Sequence, residues 1–236
     1  MRRFLKQGAP ERADAFAAEA EGLEALRPHI RVPRVFGHGV KDGRAFIELE
    51  HLALQAGGDY AALGRMLAAL HRHTGARFGW GRDNYIGLSP QRNGWCEDWL
   101  EFWRERRLGP QLERAGIRVD LEKLGPLLEN HQPAPSLLHG DLWSGNAGFT
   151  KEGPVVFDPA VYYGDREADL AMTELFGGFP REFYAAYEKE WPLDEGYSRR
   201  KHLYNLYHLY HLLNHLNLFG GGYLGQVKRT LGLLGL

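Results

Sequence analysis

Three side chains stand out for what they could do together: Asp141, Asn146 five residues later, and Asp158 twelve residues beyond that. An alcohol is a poor nucleophile near neutral pH, so a group that transfers phosphate to it must orient the hydroxyl and accept its proton. Asp141 suits that role. Asn146 can close the same loop and turn its amide oxygen to magnesium, which prefers hard oxygen ligands, and Asp158 adds a carboxylate where metal meets phosphate. The alternative is that Asp141 and Asn146 only brace a glycine-rich turn through local bonds to backbone. The set His139-Gly-Asp-Leu-Trp-Ser-Gly-Asn146, followed by Val155-Val-Phe-Asp158, favours phosphoryl transfer because all three groups occur in the required order.

Elements must hold these residues in place. Phe4-Leu5-Lys6 is strand-like, and residues 11–27 carry a helical pattern with Phe16, Leu23 and Leu26 on one side and Glu19 near the middle, ended by Pro28 and Pro33. Arg34–Gly37 and Arg44–Glu50 flank Lys41-Asp42-Gly43, a hairpin signal. A boundary is expected in Gln55–Asp59. Beyond it, Leu63, Met66, Leu67 and Leu70, then Trp99, Phe102, Trp103 and Leu108, then Leu121, Leu124 and Leu128 mark three amphipathic helices. Residues 136–165 read as loops on a small sheet, and a last long helix covers about Tyr197–Leu218. Its polar row (His202, Asn205, His208, His211, Asn214, Asn217) recurs every three residues and winds round the helix. The fold class is α+β.

Composition removes several classes of function. With 29 basic and 30 acidic residues the net charge is −1, which gives no footprint for nucleic acid or an anionic membrane. No segment has about 18 uninterrupted apolar residues. One cysteine, Cys96, cannot form an internal disulfide and favours a reducing compartment, so a cytoplasmic location is expected. His208, His211 and His215 have helical spacing but no acidic partner among them, which favours structural hydrogen bonding over metal binding.

The chain resembles the fructosamine kinase (ketosamine 3-kinase) family, a branch of the aminoglycoside-phosphotransferase-like and protein-kinase-like enzymes. The resemblance rests on the His139–Asn146 block, Phe157-Asp-Pro-Ala160, Tyr162-Tyr-Gly-Asp-Arg-Glu167 with Asp169-Leu-Ala171, Leu175-Phe-Gly-Gly-Phe179, and Asn214–Phe219 ahead of Gly221-Gly-Tyr223. It implies a two-lobe kinase-like fold: a reduced nucleotide-binding lobe and hinge over residues 1–54, and a mainly helical catalytic and substrate lobe over 55–236. It further implies ATP and Mg2+ as cosubstrate and cofactor, Lys6 on the nucleotide phosphates with Glu19 as its partner, and Glu50 and Leu52 lending backbone groups to the adenine edge. Asp141 would be the base, with Asn146 and Asp158 on the metal. The acceptor would be a small-molecule or protein-bound ketosamine phosphorylated on its C3 hydroxyl, after which the adduct breaks down and frees the amine. Trp143, beside Asp141, could stack on that acceptor or serve only as packing. Kinase-like enzymes place two strands and a phosphate-covering loop before the lysine strand, and here five residues precede Lys6, so the N-terminal lobe is expected to be truncated. Two other readings remain: a kinase for another hydroxyl compound such as an aminoglycoside or choline, and a binding module with impaired nucleotide binding.

Overall fold

The computed structural model describes residues 2–128, 131–216 and 223–236, with the side chains of 210–216 and 223–224 outside the description. The chain begins with a three-stranded antiparallel sheet in the order β1 (Arg3–Gly8), β3 (Arg44–Glu50), β2 (Val35–Lys41). Asp42 and Gly43 both have positive φ (51° and 72°), as the tight turn of a right-twisted hairpin requires. The strand after Pro33 therefore runs from Val35 to Lys41, past the expected end at Gly37, because pairing with β3 continues to the turn.

Helix α1 (Ala13–Leu26) buries Phe16, Ala20, Leu23 and Leu26, spaced to fall on one stripe. Gly22 on that stripe matters for the site. A Cβ there would lie 3.2 Å from Pro159 and 3.3 Å from Val161, so its absence lets α1 settle beside the segment carrying Asp158.

Next come α2 (Tyr60–His71), capped by Asp59 accepting from Ala62 N at 2.8 Å, and the short hairpin of β4 (Asn84–Ile86) and β5 (Ser89–Gln91). The helical stretch α3 (Trp99–Phe102) runs through a π turn (Trp103–Leu108) into α4 (Gly109–Ala115). The expected helix through Leu121–Leu128 is instead a 3-10 turn (Leu121–Leu124) followed by α5 (Gly125–Leu128). Gly125 and Pro126 explain the break: one is free to bend and the other cannot donate a backbone bond. Two small antiparallel pairs follow, β6 (Ser136–Leu138) with β9 (Tyr162–Gly164), and β7 (Ala147–Thr150) with β8 (Gly153–Val156). The chain closes with α6 (Arg166–Thr173), α7 (Arg181–Glu190), α8 (Tyr197–Leu216) and α9 (Tyr223–Leu234). Residues 217–222, which include Asn217, Leu218, Phe219 and the Gly220–Gly222 run, lie outside the described residues, as do the side chains of His211, Asn214 and His215. None of the described helices is long and apolar enough to cross a membrane.

Two cores hold these elements. One joins α1 and β3 to α2, β8 and α7 through Leu23, Ile47, Leu67, Val156 and Phe183. Its members come from both sides of the exposed residues 53–59, with Ile47 and Leu49 before them and Leu63 and Leu67 after. The other is aromatic, with Trp99, Phe102, Trp103, Tyr162, Tyr204 and Tyr207 packed around α8.

Beneath α6, His131 Nε2 meets Asp165 Oδ2 at 2.6 Å, with Glu167, Asp194 and Arg200 around them. Burial alone would discharge His131; Asp165 and then Glu167 outweigh it and raise its pKa above 6.5. A histidine raised on folding stabilises fully below the unfolded value and loses that contribution as pH rises through the folded one. His131→Asn should therefore cost about 1.5–3 kcal/mol near pH 6 and clearly less near pH 9, measured by urea unfolding at both. An equal cost at both would remove the charge from the account.

Candidate active site

The loop after β6 begins with His139 and is held from behind by one carboxylate. Asp169, buried on α6, accepts from His139 N at 2.7 Å, from Gly140 N at 2.8 Å and from His71 Nε2 at 3.2 Å. Its burial would raise the carboxyl, but the His71 bond, the neighbouring histidines and Gly140 N outweigh that and lower it. His71 in turn meets Tyr187 OH at 2.8 Å through Nδ1. His139 keeps its ring inside the loop, with Nε2 3.1 Å from Phe157 O and Nδ1 accepting from Asp141 N, and burial lowers its pKa. Gly140 (φ +82°) is required on two counts: the left-handed backbone, and a Cβ that would come 2.0 Å from Ala160 O.

Asp141 and Asn146 then face each other across the turn. Asn146 Nδ2 donates to Asp141 O at 2.8 Å and to Asp141 Oδ2 at 3.1 Å. A backbone carbonyl only accepts, so this bond fixes the amide orientation and leaves Oδ1 as the atom free to meet a hard cation. Burial pushes Asp141 up to about 8, opposed by the Asn146 bond and assisted by the Asp158 and Asp169 charges.

Asp158 arrives from the end of β8 with φ +58°, a conformation that non-glycine residues seldom adopt. The turn is pinned on both sides, by Phe157 N on Asn146 O (3.1 Å) and by Ala160 N on His139 O (2.8 Å). Lys6 from β1 reaches Asp158 Oδ1 at 2.5 Å and Glu19 Oε1 of α1 at 2.8 Å. Burial would discharge the lysine; Glu19 and Asp158 outweigh it and raise its pKa, so Lys6 stays charged, while burial against the pull of Lys6 raises Glu19. Three residues from β1, α1 and the loop, separated by up to 152 positions, thus meet in one place.

Lys6, Glu19, Asp141, Trp143, Asn146 and Asp158 all line a single cavity of about 600 Å³. Trp143 is half-buried, with Phe176 edge-on at 5.8 Å. Glu50 and Leu52 do not line it. Glu50 instead forks onto Arg31 (2.6 and 2.9 Å) and accepts from Arg34 N, while its own amide donates to Arg34 O, so an adenine edge would have to meet its carbonyl. A larger cavity, about 880 Å³, opens beside this Arg31–Glu50 pair and contains none of the Asp141 set.

Several residues that shape the site were given no role by the sequence. Asn84 Nδ2 donates to Val161 O at 2.8 Å, Gln91 Nε2 to Ala160 O at 3.1 Å and to Asn84 Oδ1 at 2.9 Å, and Arg107 to Asn93 Oδ1 at 2.8 Å. Together they hold the strand that follows Asp158. His71 sits at the expected apolar end of α2, and only its pairing in space shows its role. His208, also buried, has its pKa lowered to about 4 by burial; its Nδ1 has no hydrogen-bond partner among the described residues, short of the full bonding expected for it.

Known proteins resemble the chain along nearly its whole length. The family model for fructosamine kinase matches residues 1–234. A Synechocystis protein named "Probable ketoamine kinase slr1563" is 48% identical over 97% of this chain and 81% of its own length. The chloroplastic protein-ribulosamine 3-kinase of Arabidopsis thaliana is 43% identical over 88% of this chain and 68% of its own. A crystal structure from Haemophilus somnus 129PT, assigned as a fructosamine-3-kinase, superposes with a TM-score of 0.93 at 31% identity, covering 98% of this chain and 83% of that one.

Proposed function

Because this chain belongs to the fructosamine kinase family, we propose that it transfers the terminal phosphate of ATP to the C3 hydroxyl of a ketosamine, the adduct of a sugar with an amine. The observation that carries this reading is the convergence of Asp141, Asn146, Asp158, Lys6 and Trp143 on one cavity. Asp141 orients the hydroxyl and takes its proton as oxygen bonds to the γ-phosphorus. The bond from that phosphorus to the bridging oxygen breaks, and ADP leaves with the electron pair. Lys6, kept charged by Glu19, neutralises phosphate oxygens. Asn146 Oδ1 and the Asp158 carboxylate form an all-oxygen donor pair suited to Mg2+, which would supply further neutralisation of the phosphates when bound. Trp143, two residues from the base, offers an aromatic face to the sugar. The 3-phosphate then destabilises the adduct and frees the amine, which makes the overall outcome deglycation.

The test is phosphorus NMR of the chain with ATP, Mg2+ and ribulose- or fructose-derived lysine adducts. A 3-phosphoketosamine resonance is the expected result. Transfer only to an aminoglycoside, choline or homoserine would move the acceptor class, and absence of ATP binding by calorimetry in the presence of Mg2+ would leave a binding module in place of an enzyme.

A further inference from the structure

The connection between α6 and α7 is built with more care than a surface loop needs. Phe176, Gly177 and Gly178 have successive positive φ values of 57°, 97° and 72°, and Phe176 is a bulky residue in a region such side chains rarely occupy. Such outliers persist where the surroundings over-determine them, and they concentrate at ligand contacts. Both flanks of the loop are clasped. Tyr184 OH donates to Thr173 O at 3.1 Å and accepts from Phe179 N at 3.1 Å, tying the entry to the exit. Glu174 takes Tyr197 OH at 2.5 Å and Lys201 Nζ at 2.6 Å. The same α6 carries Asp169, so the loop and the Asp141 turn share one rigid support.

What this support holds out is a ring. Phe176 is 42% exposed and stands edge-on to Trp143, the two planes at 77°. Trp143 lines the cavity with Asp141, whereas Phe176 does not, so the pair forms an aromatic corner that leads from the cavity outward. A ketosamine has a matching layout. Three bonds of about 1.5 Å separate C3 from the amine nitrogen, so with the hydroxyl on Asp141 and the sugar against Trp143, the substituent on nitrogen starts within one ring's width of the base.

We infer that Phe176 is a specificity-determining residue that contacts the alkyl stem on the amine side of the acceptor, so that the site selects lysine-type adducts over those of small amines. This rests on the ketosamine kinase reading above. The stem of a lysine side chain is apolar between two polar ends, and an exposed ring edge beside Trp143 gives it a surface to cover without a charge to desolvate.

The experiment compares the ribulose adducts of methylamine and of Nα-acetyl-lysine with the full chain, Phe176→Ala and Phe176→Gly. In both variants the ratio of kcat/KM for the lysine adduct to that for the methylamine adduct should fall about tenfold, while KM for ATP stays within twofold. Phe176→Gly should also melt no lower than the full chain, because glycine accepts the positive φ without strain. An unchanged ratio, with both adducts weakened equally, would mean that Phe176 acts only by supporting Trp143 and would overturn the inference. If the unmodified chain phosphorylates neither adduct, the ketosamine reading itself fails first and this inference falls with it.

Discussion

Asp141→Asn should lower kcat by about 10²–10⁴-fold, the usual contribution of a positioned proton acceptor, while ATP affinity stays within about threefold. The change is nearly isosteric, so the bond from Asn146 Nδ2 to the backbone carbonyl of residue 141 survives and the turn keeps its shape. What is lost is the acceptor for the hydroxyl proton. Isotopically resolved turnover on a ketosamine, with nucleotide binding followed separately by calorimetry, reads the two quantities independently. Retention of full turnover would remove Asp141 from the role of base. Loss of turnover together with ATP binding would instead point to collapse of the loop.

Asp169→Ala should be the most destabilising single change at the site, at about 3–5 kcal/mol. It strips acceptors from His139 N, Gly140 N and His71 Nε2 at once, all in a buried position where water cannot replace them. Asp169→Asn should cost less, since it retains the shape and one acceptor oxygen, but it sets an NH2 group against one of two backbone donors. Urea midpoints for the two variants should fall in that order with the slope unchanged, and turnover should fall with them because the Asp141 turn loses its anchor. An alanine variant within about 1 kcal/mol of the parent would show that the orphaned donors find other partners.

Asp141, Asn146 and Asp158 stood out in the sequence because they lie within eighteen residues of one another, in the order and at the spacing that the proposed chemistry asks for. Lys6 and Glu19 were different. Each reads alone as a surface charge, and only the family resemblance singled them out; the pairing of β1 with β3 and the close seating of α1 at Gly22 bring them to Asp158. Hairpin and helix positions followed from Asp42-Gly43 and from apolar spacing. Helix ends did not, as Gly125-Pro126 shows. The polar residues behind the site were the least visible. Asn84 and Gln91 satisfy carbonyls some seventy positions away while Arg107 reaches Asn93, and no local pattern encodes such partners.

The double pinning of the Asp158 turn to the Asp141 turn, by Phe157 N on Asn146 O and Ala160 N on His139 O, carries a consequence for how such an enzyme can diversify. Gly140 presses against Ala160 O, so the separation between Asp141 and the pair Asn146 and Asp158 has almost no freedom to drift. The aromatic corner at Trp143 and Phe176 hangs from the outside of this welded unit. Substitutions there can trade one acceptor for another while the reacting geometry stays as it is, which makes the outer wall, and not the interior of the loop, the place where a new preference can be selected at little cost to turnover.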